Sequence, residues 1–384
     1  MRLLAGHRLP AKGLILPGHR LGWRDTLASV IAVIAALFGN DEDGFLIDAD
    51  DWSTLFQDTA GTQPVTAPNQ GVALALDKSG NGNHATQATT ADRPLTAVHP
   101  DGGVRNEVDN SDTLATQTVT VTAQERTLSF RGAGTVTLSN ASTAGPLVGT
   151  GADDIVSLTF TPTAGSLTLT VSGTVNDAML ELGAVRTTYQ KRVNHLDVTE
   201  AGKRSIRRLY FNGTSHSMQT PTITPNTDKV QAFAGVRALN LATGVFGMLF
   251  EIGGTGFNAT SLRVPPSASG RIDFTHTGDT NMRNASLSGL SSPLSAVLSG
   301  ISDLGEPKVL LSRDGLQVAQ NVEVTGGGVF DPNPAFIGSQ QGTMRFFNGF
   351  LDQLITRFGP NLDTATIEKT EKYVSTKVPE VETL

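Results

Sequence analysis

The chain contains no cysteine. That excludes disulfide staples, a thiolate nucleophile and sulfur ligands for zinc. Tryptophan and tyrosine are scarce, 2 and 3 residues in 384, which leaves little aromatic surface on which a sugar ring could stack. Charged residues make up only 17%, and the formal net charge is -7. Nucleic-acid readers need clustered Lys and Arg to displace phosphate counterions, so that class of partner is disfavoured. Long hydrophobic runs are also missing. The most apolar segment, TLASVIAVIAALF from Thr26 to Phe38, falls short of the roughly 20 residues that cross a bilayer, and membrane insertion is not expected.

Catalytic signatures are absent as well. No G-x-S-x-G nucleophile elbow occurs, and no phosphate-cradling glycine loop runs into Lys-Ser or Lys-Thr. A glycosidase needs two carboxylates facing across a sugar. Asp153 and Asp154 are adjacent, so on a strand they point to opposite faces. The expectation is a protein that is not an enzyme.

What is present is glycine, 41 residues, together with much threonine and valine. Short strands joined by Gly-bearing turns use residues in this way, and 384 residues leave room for two domains. From Thr113 to Val175, TQTVTVTAQERTLSFRG, GTVTLSN and SLTLTVSG alternate polar and apolar positions, the period-two signature of half-buried strands. KVQAFAGV, FGMLFEIG, RIDFTHTG and KVLLSRDGLQVAQ read as further strands. Asp314-Gly315 marks a hairpin, since both central residues of a type I′ turn need positive φ. A helix closes the chain, with Asp363 or Thr364 as its cap and Ile367, Thr370, Val374 and Val378 on one face. The expected fold class is mainly β: two antiparallel β-sandwiches plus an N-terminal apolar helix and a short C-terminal helix.

The first 43 residues differ from the rest. Arg2, Arg8, Lys12, Arg20 and Arg24 precede the apolar run, with no acid before Asp25. Charge followed by hydrophobicity resembles a secretory signal, but a retained arm is the expectation. Gly6-His7-Arg8-Leu9 is echoed by Gly18-His19-Arg20-Leu21; His7 and His19 read as parts of extended arms on a neighbouring protein, with metal ligation the alternative. Leu27, Val30, Ile31, Ile34, Leu37 and Phe38 recur at helical spacing while Ala and Val fill the other faces. A helix apolar nearly all round requires cover. No nearby segment offers it, so a homo-oligomer, a trimer by preference, or a socket in a larger particle is expected.

Acidic and amide groups supply the candidate sites. Asp48, Asp50 and Asp51 lack the glycine and closing glutamate of a calcium loop, and Asp51 or Ser53 is expected to cap a turn. Asp77, Asn81 and Asn83 lie on a Gly-rich turn whose oxygens suit calcium, the one cofactor considered. The same residues suit a tight turn in which Asp77 accepts backbone N–H bonds, and this reading is preferred.

Two segments carry a resemblance. DKSGNGNHATQATTADRPLT (Asp77 to Thr96), with LFQD and PVTA before it, and RRLYFNGTSHSMQT (Arg207 to Thr220) resemble the opening strands of the laminin-G-like, concanavalin A-like sandwich of tailed-phage virion proteins. NDAMLELGAVRTTYQKR is similar to the close of carbohydrate-binding-module-like jelly rolls. The resemblance covers most of the chain from Gly44 onward. It implies a virion-anchoring arm and oligomerisation helix over 1–43, a leader and first part of the sandwich over 44–97, an inserted module over 98–206, and the remainder with its helix over 207–384. It implies a structural component of a bacteriophage virion. A tail fibre or receptor-binding protein, joined to other virion proteins by its N-terminus and meeting host surface glycans through sandwich loops, is preferred. A capsid decoration or head-fibre protein of purely architectural role is the alternative.

Overall fold

The computed structural model describes residues 27–239, 246–253, 256, 258–264, 270–306 and 308–381, with the side chains of 27–31 and 152 excepted. It is mainly β. Two large, predominantly antiparallel sheets carry most of the chain, and a smaller pair of sheets is inserted in sequence between two strands of the larger one.

The ten-stranded sheet is centred on Asn348–Phe358, which pairs with Ser205–Asn212 and Asp43–Asp48 as well as with Lys229–Ala238. From Lys229–Ala238 the sheet continues through Leu294–Asp303, Lys308–Arg313 and Leu316–Asn321. The nine-stranded sheet runs in the order Leu55–Phe56, Leu74–Ala75, Ala85–Thr86, Met218–Ile223, Asn333–Ile337, Gly247–Ile252, Ala259–Val264, Ile272–Thr277 and Met282–Leu287. Between the two sheets lies one continuous core, to which Phe211, Val236, Phe250, Phe274 and Leu354 contribute. The Asp314-Gly315 hairpin is as expected, with φ of 50° and 78°.

Lys229–Ala238 and Asn348–Phe358 are buried at nearly every position because both of their faces are covered. One face meets the opposing sheet, and the other lies under two helices, α1 (Leu27–Phe38) and α2 (Thr364–Ser375). Gly235 permits this approach: a Cβ there would stand 2.7 Å from Val378 Cγ2. Asp363 caps α2, accepting from Thr366 N at 2.7 Å, and Thr370, Val374 and Val378 are buried as the spacing predicts.

Helix α1 corrects an expectation. Leu37 and Phe38 are buried within the same chain, against Leu46, Phe233, Val297, Ile355, Val374 and Val378, and Ile34 packs on this cluster half-buried. Arg357 donates from Nε to the Leu37 carbonyl at 2.6 Å. Apart from Leu46 on the next strand, this cover comes from α2 and from strands about two hundred residues or more away in sequence, and so is invisible to a search of neighbouring segments. The side chains of Leu27, Val30 and Ile31, like His7 and His19, lie outside the described residues.

The insert forms a four-stranded and a three-stranded sheet spanning Gln117–Leu182, with Leu128, Phe130, Val136, Leu138, Leu167, Leu169 and Leu180 between them. Its threonines face outward as cross-strand pairs, with Thr118 and Thr168 hydroxyls 3.1 Å apart. The boundaries differ from 98 and 206. Leu95–Pro100, Gln190–Asn194 and Asp197–Glu200 all pair within the ten-stranded sheet, a matter of long-range pairing that local pattern does not encode. Asn106 ties the junction, donating to the carbonyls of Ala178 and Gln190, each at 2.9 Å.

Candidate ligand-binding face

Asp77, Asn81 and Asn83 do converge, as a clasp. Asp77 accepts from Leu46 N and Ser79 N at 2.8 Å through Oδ1, and from Ser79 Oγ and Asn83 N at 2.7 and 3.0 Å through Oδ2. The amides of Asn81 and Asn83 donate to the Gly44 carbonyl at 3.1 and 2.8 Å, and Asn81 donates also to Glu42 O. These residues do not fit calcium. Both carboxylate oxygens already face N–H and O–H donors, and the two amides present nitrogen where a cation needs oxygen. The turn pins the start of strand Asp43–Asp48.

The neighbouring acids are likewise engaged. Asp51 accepts from Ser53 N and Oγ, the expected cap. Asp48 and Asp51 share Lys78 at 3.1 and 2.8 Å, and Asp50 binds Arg204 and Lys377 at 2.8 and 3.2 Å. No group of three or more His, Asp or Glu side chains placed to hold a metal occurs among the described residues.

The outer face of the nine-stranded sheet is different in kind. Side chains alternate along a strand, so the residues flanking each core position form a single outward row. Cross-strand registers give it as Phe56, Leu74, Thr86, Gln219, Phe336, Glu251, Ser261, Thr275 and Asn284. Two depressions mark this face. An open cleft of about 750 Å³ at the sheet edge is lined by Phe56, Leu74, His84, Thr86, Gln219 and Pro221. A second, of about 400 Å³, is lined by Phe246, Ser261, Arg263, Thr275, Gln340 and Arg345 among others.

In the second depression the segment after Ile337 folds back over the sheet, and Gln341 N donates to Glu251 Oε1 at 2.6 Å. Glu251 is thereby buried, 1% exposed, although its strand position faces outward. Burial pushes its carboxyl up to about 7, against the Gln341 N–H and the charges of Arg263 and Arg345, which favour the ionised form. The Gln340 amide also acts on the Glu251 carboxyl, though not in a geometry that gives Oε2 a full hydrogen bond, while Thr275 Oγ1, Gln340 Oε1 and Arg263 Nε have no partner among the described residues. Buried polar atoms are nearly always paired, so three unpaired ones lining one depression are informative.

Phe246 holds the two cations. The guanidiniums of Arg263 and Arg345 lie 4.6 and 4.5 Å from its ring centroid, an arrangement that fixes the planar groups. Burial draws the Arg263 guanidinium below its ordinary value, opposed by Asp273 and reinforced by Arg345. Asp273, directly across from Arg263, is occupied by Arg271 at 2.8 Å and Ser286 at 2.6 Å. Arg345 sits at φ 52°, a left-handed conformation that costs a non-glycine residue about 1 kcal/mol.

Sequence reasoning missed this site. Its one local signal is Glu251, a carboxylate within the otherwise apolar strand GMLFEI. Arg345 and Gln340 reach the site only through a loop that folds back from the next strand.

Neither a family model nor a curated protein matches the sequence. Solved structures do. The CBM40 domain of the Ruminococcus gnavus IT-sialidase, bound to α2,6-sialyllactose, aligns with 38% of this chain and 84% of its own, at 12% identity and a TM-score of 0.29. A heptameric SAP-like pentraxin from Limulus polyphemus aligns over 44% of this chain and 81% of its own, at 12% identity and a TM-score of 0.33. The binding domain of botulinum neurotoxin DC, in complex with SialylT, covers 44% of this chain and 42% of its own, at 10% identity and a TM-score of 0.34. The likeness is one of β-sandwich architecture.

Proposed function

We propose that this chain is a structural protein of a tailed-phage virion that binds host surface glycans on the outer face of its nine-stranded sheet. The observation carrying the binding role is the set of buried, unpaired polar atoms of Arg263 and Thr275, on a sheet face that points away from the core, and of Gln340 on the segment folded over it, all lining one depression. Unmade hydrogen bonds of this kind cost about 1–3 kcal/mol each, and a polyhydroxylated ligand seated in the depression supplies partners once these side chains turn toward it. The virion assignment rests on the resemblance of Asp77 to Thr96 and Arg207 to Thr220 to phage sandwich segments. The binding surface proposed is the sheet face together with its fold-back loop, in place of sandwich loops alone.

A purely architectural role has its own support. Trp52 is covered by Arg207, whose guanidinium lies 4.8 Å from its ring, and Tyr373, on α2, is buried against the strand Asn348–Phe358, where Gln353 donates to its hydroxyl, so neither offers a stacking platform. The test uses the full chain, labelled, on host cells, with inhibition of phage adsorption measured in parallel. Saturable binding that blocks adsorption supports the receptor-binding role. Presence of the protein in purified particles without any cell or glycan binding leaves the architectural role, and absence from particles refutes both.

A further inference from the structure

The depression beneath the fold-back loop has a charge pattern that narrows its ligand, provided the glycan-binding reading holds. Two guanidiniums converge on one phenylalanine. Arg263 has only the Met282 sulfur, at 3.7 Å, as a side-chain partner from Nη2, and its Nε has none among the described residues. The acid across the strand is consumed by Arg271 and Ser286. Glu251, the remaining acid, is buried, spends one oxygen on the Gln341 backbone N–H and feels both guanidiniums and the Gln340 amide, so one carboxyl faces two cations. The site therefore has spare positive charge held in place and a shortage of acceptors facing it. Hydroxyl and amide groups of Ser261, Thr275 and Gln340 stand beside that charge.

We infer that this depression binds an acidic sugar residue, Arg263 and Arg345 taking its carboxylate while Ser261, Thr275 and Gln340 take its hydroxyls. Several features support this class over a neutral sugar. Arginine presents a planar fork that matches a carboxylate with two parallel bonds. A guanidinium packed on an aromatic ring has already lost the rotamer freedom it would otherwise lose on binding. Among the described residues lining the depression the one aromatic ring is Phe246, on which the guanidiniums pack, so it offers a neutral ring no open aromatic face there. A neutral sugar would leave the arginines unmatched, and a bare carboxylate would leave Thr275 Oγ1 and Gln340 Oε1 unpaired. The left-handed backbone at Arg345 is the kind of local strain that collects at ligand clamps.

The test is calorimetric titration of the full chain with sialyllactose, lactose, a glucuronate-containing disaccharide and acetate, repeated for Arg345→Gln and Arg345→Lys. Arg345 is partly exposed and outside the core, and thermal unfolding checks that both variants fold. The expected result is binding of at least one acidic saccharide about tenfold or more tighter than lactose and acetate, a preference abolished by Arg345→Gln and partly kept by Arg345→Lys. Equal binding of lactose and sialyllactose, or a preference unchanged by Arg345→Gln, overturns the inference and leaves glycan binding standing. Acetate binding as tightly as the sugars reduces the site to a carboxylate pocket and also overturns it. Binding to host cells with no affinity for either acidic saccharide sinks the inference alone, whereas loss of cell binding as well sinks the proposed receptor role.

Discussion

Arg208 and Asp352 form a bidentate pair, Nε to Oδ1 at 2.6 Å and Nη2 to Oδ2 at 3.0 Å, with both side chains wholly removed from solvent. Glu380 near the C-terminus accepts from Arg208 Nη1 at 2.8 Å, and His99 Nδ1 lies 3.3 Å from the same nitrogen. Burial, reinforced by Arg208, pushes His99 down to about 3, so it stays neutral. One guanidinium thus joins two strands of the ten-stranded sheet to the tail that follows α2. Asp352→Ala should cost roughly 3–5 kcal/mol, because it takes the bidentate partner from a wholly buried charge and leaves only Glu380 to compensate it. The double change Arg208→Met with Asp352→Leu should cost less than that single change. Urea denaturation of the variants checks both statements.

Arg357 makes the start of the described chain part of the fold. Its guanidinium donates to Leu37 O at 2.6 Å and Glu42 Oε1 at 2.8 Å, almost wholly buried. A chain shortened to Gly44–Leu384 loses both partners and the packing of Leu37 and Phe38. It should be less stable than the full chain by about 3 kcal/mol or more. An unchanged urea midpoint for the shortened chain would show that α1 does not dock as described.

The clasp at Asp77 leads to opposite outcomes for mutation and chelation. Asp77→Ala removes the acceptor for four hydrogen bonds, three of them from buried or half-buried backbone, and should destabilise by about 2–4 kcal/mol. Excess EDTA should leave the melting temperature of the unaltered protein where it was. A chelator-induced drop, reversed by calcium, would restore the metal reading.

Glu251 gives stability a pH dependence of definite sign. Its folded value of about 7 lies above the ordinary 4.5, so between these values the folded chain holds more protons than the unfolded one. Stability from this group is present at acid pH and lost as pH rises through about 7. The loss is about 2 kcal/mol, allowing for partial screening. Glu251→Gln keeps an acceptor for Gln341 N and removes the titration. The variant should gain on the parent between pH 5 and about 8 when their unfolding free energies are compared. His276, pushed down to about 4 chiefly by burial, acts with the opposite sign in both proteins, so it cancels in that difference.

Much of the fold was legible in the sequence because strand alternation and turn chemistry are local. The Asp314-Gly315 hairpin, the Thr-rich insert strands and the capped face of α2 each follow from a few adjacent residues. The candidate site was legible only in fragments. Glu251 interrupts an apolar strand, but nothing local marks Phe246, Arg263, Gln340 and Arg345 as neighbours, since strand order and a fold-back loop bring them together. For Asp77, Asn81 and Asn83 the sequence supplied the right residues and left two chemistries open. The direction of their hydrogen bonds, donors aimed at both Asp77 oxygens, chose between them.

The sequence by itself determined the class of protein: all-β, without disulfides, poor in exposed stacking surface and short of basic clusters, because composition and period-two patterning do not depend on distant contacts. Tertiary structure alone decided three other things. It showed which segment covers α1, where the insert returns to the ten-stranded sheet, and which outward side chains are left without partners. Each depends on pairing between residues far apart in the chain, whose register is set by the packing of whole sheets against one another.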